Sequence, residues 1–230
     1  MVEGYMIKKI GEETTRDEII AIRPKFLFFR KERVCRSPAN GVIRDIFKGR
    51  VCIQEIRQLE MRAYIPGTIV EKLADEGVVI ETTAMLIQGV FGVGGETNGE
   101  LMVMVDSSND ILTEKDISPN CEGKVLLGGS LVTLEALRKA VATGVKGIIV
   151  GGIEQKNLVD FLGYEIGIPT TGNEDIGITL ILTEGFGRIP MTDKTFRLLQ
   201  SFSGKQACIN GATQIRLKVI RPEIIIPRAR

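Results

Sequence analysis

The stretch Lys124–Gly152, KVLLGGSLVTLEALRKAVATGVKGIIVGG, decides the fold of the second half of the chain. Two short apolar runs each end in a pair of glycines, and between them apolar residues recur at the spacing of a helix. Ser130 or Thr133 is suited to cap the start of this helix, and Gly144 to the left-handed residue after its end. The order strand–helix–strand predicts two parallel strands joined by a right-handed crossover.

The same alternation continues along the chain. Helices are predicted at about 154–162 and 193–202, and strands at 164–168 and 178–183. We therefore interpret 122–204 as a small α/β domain with parallel strands. The β-branched runs of 205–230 predict C-terminal strands, which could join either part of the molecule.

The loops that follow these predicted strands all contain glycine: GGS, GGIE, PTTGNED and TEGFG. Ligands bind outside the carboxyl ends of parallel strands, where helix N-termini present free N–H groups, and glycine lets the backbone approach a ligand closely. We therefore expect a site for a small anionic ligand here; the alternative is that the glycines only satisfy tight turns. The candidate ligand-binding residues are Gly128, Gly129, Ser130, Gly151, Gly152, Thr170, Thr171, Gly172, Glu174, Thr183, Glu184 and Gly185.

These loops contain no known catalytic motif, neither a P-loop nor a nucleophile elbow. Glu174 and Glu184 are candidates for a carboxylate pair in acid–base chemistry, or else they are two surface glutamates. Whether the protein is an enzyme, and which ligand or cofactor it binds, therefore stays open.

An internal repeat spans residues 36–82. Its copies read RSPANGVIRDIFKGRVCIQE and AYIPGTIVEKLADEGVVIET, so that Gly41 matches Gly67 and Glu55 matches Glu81. Turn-forming proline and glycine followed by alternating β-branched residues predict a strand–turn–strand unit in each copy. Either unit is too small to bury its own apolar face, so two copies together could close a compact sandwich.

SPANGVIRDI and YIPGTIVEKLADEGVVIE resemble the two half-motifs of barrel-sandwich hybrid domains, the fold of biotinyl and lipoyl carriers. In those carriers, a lysine on the hairpin between the halves accepts the cofactor. The corresponding stretch here, EIRQLEMRA at 55–63, contains arginines but no lysine. The resemblance therefore implies the fold in a non-catalytic scaffold or adaptor role, and we expect no covalent biotin or lipoate.

These patterns predict a mixed α+β protein with a β-rich barrel-sandwich-like module and a small α/β domain with parallel strands. The expected organisation is an N-terminal extension at 1–22, the β-rich module at 23–105, a linker at 106–121, the α/β domain at 122–204 and C-terminal strands at 205–230.

Composition narrows the classes of protein further. The chain has no histidine, and its four cysteines are widely spaced without a CxxC pair, so we expect reduced thiols and no metal site. No apolar run approaches the roughly 18 residues of a membrane span, and the charged N-terminus does not resemble a signal peptide. The sequence therefore predicts a cytoplasmic protein without membrane association.

Charge is unevenly distributed along the chain. Residues 23–57 carry ten Lys/Arg against three Asp/Glu, and 205–230 carry six against one, while the segment between them is acidic. Together the two basic segments could form a face for nucleic acid or an acidic partner, which gives the alternative function of an interaction or nucleic-acid-associated adaptor. They could equally pack against the acidic body or simply be solvated. The oligomeric state stays open.

Overall fold

The computed structural model describes residues 3–24, 33–55, 60–74, 76–164, 176–214 and 220–228. The chain falls into two compact units, Met1–Arg62 and Ala63–Arg230. Both α-helices and β-strands are present, so the predicted mixed α and β class is confirmed. Within the described ranges, no helix is long and apolar enough to cross a membrane.

The first unit is built from short strands. After a 3₁₀-helix at Glu3–Tyr5, its strands are β1 (Glu13–Thr14), β2 (Ile19–Arg23), β3 (Arg33–Arg36), β4 (Gly41–Phe47) and β5 (Arg50–Gln54). β2 and β3 form one antiparallel pair, while β1, β4 and β5 form a three-stranded antiparallel sheet. Ile20 and Ile43 are its most deeply buried apolar side chains.

The second unit begins with a separate hairpin formed by β6 (Thr68–Leu73) and β7 (Gly77–Glu81). The hairpins β4–β5 and β6–β7 fall on the two copies of the sequence repeat. Ile43 pairs with Ile53 in the first, and Ile69 pairs with Ile80 in the second. In this comparison of the two hairpins, Gln54 and Glu81 occupy equivalent positions, because each follows the paired isoleucine of its second strand. The sequence matched Glu55 with Glu81, so the predicted match is shifted by one residue. The barrel-sandwich interpretation stays a prediction.

An eight-stranded mixed sheet forms the body of the second unit, in the order β8–β17–β16–β10–β12–β14–β15–β9. Its strands are β8 (Ala84–Gln88), β9 (Phe91–Val93), β10 (Glu96–Val103), β12 (Val125–Leu127), β14 (Gly147–Ile153), β15 (Thr179–Phe186), β16 (Gln206–Asn210) and β17 (Glu223–Pro227). A small parallel pair, β11 (Ile111–Leu112) and β13 (Leu131–Val132), lies outside it. β10, β12, β14 and β15 run parallel, and the neighbours on both sides are antiparallel.

Three helices pack on this sheet: α1 (Leu134–Thr143), α2 (Gln155–Leu162) and α3 (Asp193–Gln200). Successive residues of a strand point to opposite faces, and the two apolar clusters of the unit follow that rule. One cluster joins Leu126, Ile148 and Leu180 to α1 and α2. The other joins their neighbours Leu127, Ile149 and Ile181 to α3. Both faces of the parallel strands are therefore buried.

The predicted parallel arrangement around Lys124–Gly152 is present. The side chain of Thr133 accepts a hydrogen bond from Ala136 N at the start of α1, and Gly144 ends the helix with a φ of 80°. β12 and β14 pair in parallel register on either side of α1. The strand predicted at 164–168 lies, except for Tyr164, outside the described residues.

The strand pairings differ from the predicted domain boundaries in two respects. β8, β9 and β10, which were assigned to the β-rich module at 23–105, pair into the same sheet as the α/β strands and the C-terminal strands. Within the predicted linker at 106–121, Leu112, Ile117 and Cys121 are buried in the core of the unit. These apolar positions are too widely spaced to form a periodic pattern. The sequence of the segment therefore looks like a polar linker.

Candidate functional site

The described glycines of the predicted site lie along one edge of the eight-stranded sheet. Gly128 N–H donates to Ile149 O at 2.8 Å, and Gly151 N–H donates to Gly129 O at 2.8 Å. Gly152 pairs with Gly185 across β14 and β15. Because β12, β14 and β15 are parallel, their carboxyl ends meet here, as the crossover argument requires.

Close packing surrounds Gly129, Gly151 and Gly152 at this edge, whereas a Cβ atom on Gly185 would meet nothing within 4 Å. A Cβ atom on Gly129 would lie 2.5 Å from Asp110 O and 2.6 Å from Ser107 O. On Gly151 it would meet Ile189 O, and on Gly152 it would meet Gly187 O. Those are backbone atoms of the protein itself, so these glycines let chain segments pack against each other. A side chain at Gly129 would therefore force these backbone segments to move.

The predicted polar side chains at this edge are engaged within the protein. Ser130 is fully buried, and its hydroxyl donates to Asn109 O at 2.8 Å. The hydroxyl of Thr183 donates to Val150 O at 3.4 Å, and Glu184 Oε1 accepts from Thr192 N at 3.1 Å. Four other candidates lie outside the described residues: Thr170, Thr171, Gly172 and Glu174. The predicted carboxylate pair is therefore described only at Glu184.

An open cleft lies elsewhere in the second unit. It measures about 860 Å³ and lies between the β6–β7 hairpin and the end of the eight-stranded sheet. The hairpin side contributes the hydroxyl-bearing residues Thr68, Thr82 and Thr83. The sheet side contributes Lys205, Gln206 and Arg228, and Val70, Phe202 and two prolines add apolar surface.

Backbone contacts hold the two walls of the cleft in place. Arg228 N–H donates to Thr83 O at 2.9 Å, which joins the end of β17 to the residue before β8. Lys205 follows a turn at Gly204, where φ is 78°, and its carbonyl accepts from Leu101 N at 2.8 Å. A Cβ on Gly67 would lie 2.5 Å from Glu81 O, so glycine is needed where the hairpin strands meet.

Positive charge prevails in this cleft. The side chains of Lys205 and Arg228 are exposed, and neither forms a hydrogen bond or an ion pair with a described residue. Glu81 is the one carboxylate among the described residues that line the cleft. A negatively charged ligand would therefore find two cationic groups that are paired with no described residue.

A group of titratable side chains lies on the antiparallel half of the same sheet. Glu96 and Glu223 both pair with Asn210, on opposite sides of β16. Burial raises the pKa of Glu223, and the neighbouring charge of Glu96 adds to this. Burial also raises the pKa of the Cys208 thiol to about 11, so the thiol form prevails at neutral pH and Cys208 is not a ready nucleophile there.

Tyr64 packs beside this group. Its hydroxyl is buried and has no hydrogen-bond partner among the described residues. Burial raises the pKa of Tyr64 above its ordinary value, with further contributions from Glu223, Cys208 and Glu96. The phenol therefore stays neutral at neutral pH.

The described part of the chain contains no group of three or more Cys, Asp or Glu side chains that could hold a metal ion. The basic segment at 23–57 is described only in part. Arg33 and Arg36, at the two ends of β3, are exposed, whereas Arg30 and Lys31 lie outside the described residues. Arg36 Nη1 donates to Asp17 O at 2.7 Å.

No protein-family model, curated protein or solved structure matches this chain. The cleft was not predicted from the sequence, since its residues come from two segments, 66–83 and 202–228, that are at least 119 residues apart. Two features of the sequence belong to its parts, namely the basic excess of 205–230 and the threonines within and directly after the second repeat copy. Neither signal indicated that the two would meet.

Proposed function

We propose that this protein binds a small anionic molecule in the cleft between the β6–β7 hairpin and the eight-stranded sheet. The observation that carries the proposal is the pair of cationic side chains, Lys205 and Arg228, that line the cleft without a described protein partner. The ligand class is the one expected from the sequence, but the site lies away from the glycine loops.

The chemistry of the lining supports an organic anion over a simple ion. A guanidinium binds a carboxylate or phosphate through two parallel hydrogen bonds, and a lysine adds a second positive charge. The hydroxyls of Thr68, Thr82 and Thr83 can hydrogen-bond an attached polar group. The volume of about 860 Å³ falls within the range of small-molecule sites.

Thermal stability measured against a panel of anions tests this proposal. The panel consists of inorganic phosphate, di- and tricarboxylates, sugar phosphates and nucleotides, each titrated with ionic strength held constant. A molecule that binds only the folded state raises the melting temperature by mass action, so at least one organic anion should raise it in a saturable way.

The double variant Lys205→Gln/Arg228→Gln should lose this stabilisation. A hydrogen bond to a charged group contributes about 1.5–3 kcal/mol, so either single substitution should weaken binding tenfold or more. Lys146→Gln/Lys156→Gln is the matched control, because both lysines are exposed and lie outside the cleft. Equal stabilisation of the Lys205→Gln/Arg228→Gln variant and the unmodified protein would contradict the proposal.

A further inference from the structure

The cleft of the proposed anion site also contains a negative charge. Glu81 lines it together with Thr68, and the two residues are paired in the β6–β7 ladder, so both side chains project to the same side of the hairpin. Lys205 and Arg228 line the cleft from the sheet side. The two walls of the cleft therefore carry charges of opposite sign.

These opposite charges do not pair with each other. No ion pair joins Glu81 to Lys205 or Arg228, and the Glu81 carboxylate accepts no hydrogen bond from any described residue. An ion pair across the cleft would have satisfied both walls within the protein. Instead, the carboxylate and the two cationic groups are each paired with no described residue.

The backbone brings the two kinds of charge close enough for one small molecule to contact both. Arg228 N–H donates to Thr83 O at 2.9 Å, and Glu81 lies two residues before Thr83 in the chain. Two residues of extended chain span at most about 7 Å. A small ligand held by the Arg228 guanidinium can therefore also reach the Glu81 carboxylate.

A ligand that carries only negative charge matches this lining poorly. Its anionic groups would pair with Lys205 and Arg228, but the carboxylate of Glu81 would repel them, and like charges brought together in a binding site oppose binding. An ammonium group on the same molecule changes this balance. It replaces the repulsion with a charge-assisted hydrogen bond, which is stronger than one between neutral groups.

We infer that the ligand of this cleft is a zwitterion, namely an organic anion that also carries a protonated amino group. Lys205 and Arg228 bind its carboxylate or phosphate, and Glu81 accepts hydrogen bonds from its ammonium group. This inference rests on the proposed function, because it requires the anion to bind in the cleft. It adds that the hairpin wall selects amino compounds among the organic anions.

Calorimetric titration of the full chain with matched pairs of compounds tests the inference. The pairs are glutarate and glutamate, 3-phosphoglycerate and O-phosphoserine, and glucose 6-phosphate and glucosamine 6-phosphate. In each pair the second compound has an amino group where the first has a hydrogen or a hydroxyl group. The unmodified protein should bind the amino compound of at least one pair about tenfold more tightly than its partner, because only the amino compound forms the bond to Glu81.

Glu81→Gln separates selection by this carboxylate from general anion binding. The variant should bind the preferred amino compound about tenfold more weakly, and it should bind the plain anion of the same pair at least as tightly as the unmodified protein does. Glu71→Gln is the matched control, since Glu71 projects to the same side of the hairpin but does not line the cleft. It should bind both compounds like the unmodified protein, and circular dichroism verifies that both variants fold.

The outcomes distinguish the inference from the proposed function. Binding of the plain anions without a preference for the amino compound in any pair would overturn the inference and leave the proposed function in place. A folded Glu81→Gln variant that keeps the full preference of the unmodified protein would also overturn the inference. If none of the compounds binds, the proposed function fails and the inference fails with it.

Discussion

The glycine-rich edge of the parallel strands and the cleft beside the β6–β7 hairpin belong to the same unit, but they differ in what their polar groups do. At the edge, Ser130 and Glu184 are hydrogen-bonded to the protein itself, and Gly129, Gly151 and Gly152 pack against its backbone. In the cleft, Lys205 and Arg228 have no described partner. Glycine in a loop permits close approach, but the approaching group can be the protein's own chain. A charged side chain without a described partner, next to an open cleft, is therefore a stronger sign of a ligand site than a glycine-rich loop.

The largest effect that separates the two regions is expected at Gly129. Gly129→Ala should lower the free energy of unfolding by about 3 kcal/mol, because the added methyl group meets two carbonyl oxygens that cannot move without the backbone. The matched substitution Gly128→Ala should cost about 1 kcal/mol, since its Cβ would lie 3.3 Å from the side chains of Leu112 and Val150. Urea unfolding measures both. Equal stability of Gly129→Ala and the unmodified protein would show that the edge is open.

A smaller effect is expected from the hydroxyl of Ser130. Ser130→Ala removes the hydrogen bond to Asn109 O and should cost about 1 kcal/mol of stability. It should leave anion binding unchanged, because this hydroxyl acts within the fold. Ser203→Ala, at an exposed position, is the control and should change neither quantity. Weaker anion binding by the Ser130→Ala variant, measured by calorimetry, would indicate that the ligand binds at the glycine edge.

The smallest effect concerns pH and the group on the antiparallel half of the sheet. The pKa of Glu223 is higher in the folded protein than its ordinary value of 4.5, so the folded state holds this proton more tightly than the unfolded chain. The resulting stabilisation is fully present below that ordinary pKa and is lost as pH rises through the folded value. Glu223→Gln keeps the group neutral, so its stability relative to the unmodified protein should increase from pH 4 to pH 8.

Chemical unfolding at several pH values measures this trend. Glu122→Gln, at an exposed carboxyl, is measured over the same range as the control for a general loss of negative charge. A stability difference between Glu223→Gln and the unmodified protein that stays constant or decreases with pH would contradict the assigned environment of Glu223.

Local signals predicted the parts of the fold that depend on neighbours in sequence. The cap at Thr133, the left-handed Gly144 and the apolar spacing between them define α1 without tertiary information. The parallel pairing of β12 with β14 then follows from the handedness of the crossover. The repeat likewise predicted two hairpins, because each consists of strands joined by a short turn.

Pairings between distant segments could not be predicted in this way. β10 pairs with β12 on one side and with β16, more than 100 residues away, on the other. Its alternating pattern ELMVMV suits any half-buried strand, so it did not indicate which sheet it would join. The cleft depends on the same kind of long-range contact, between Thr83 and Arg228. Similarly, the glycines after the parallel strands indicated that another group packs closely against the backbone. They did not indicate whether that group is a ligand or the protein's own chain.

The position of a bound anion tests the central claim most directly. A crystal structure should be determined with the organic anion that raises the melting temperature most, alongside a structure of Lys205→Gln/Arg228→Gln soaked under the same conditions. The account predicts density for the anion in the cleft of the unmodified protein, within hydrogen-bond distance of the Arg228 guanidinium and Lys205 Nζ, and no such density in the variant. An anion bound at Gly128–Ser130 while the cleft stays free of it would contradict the account.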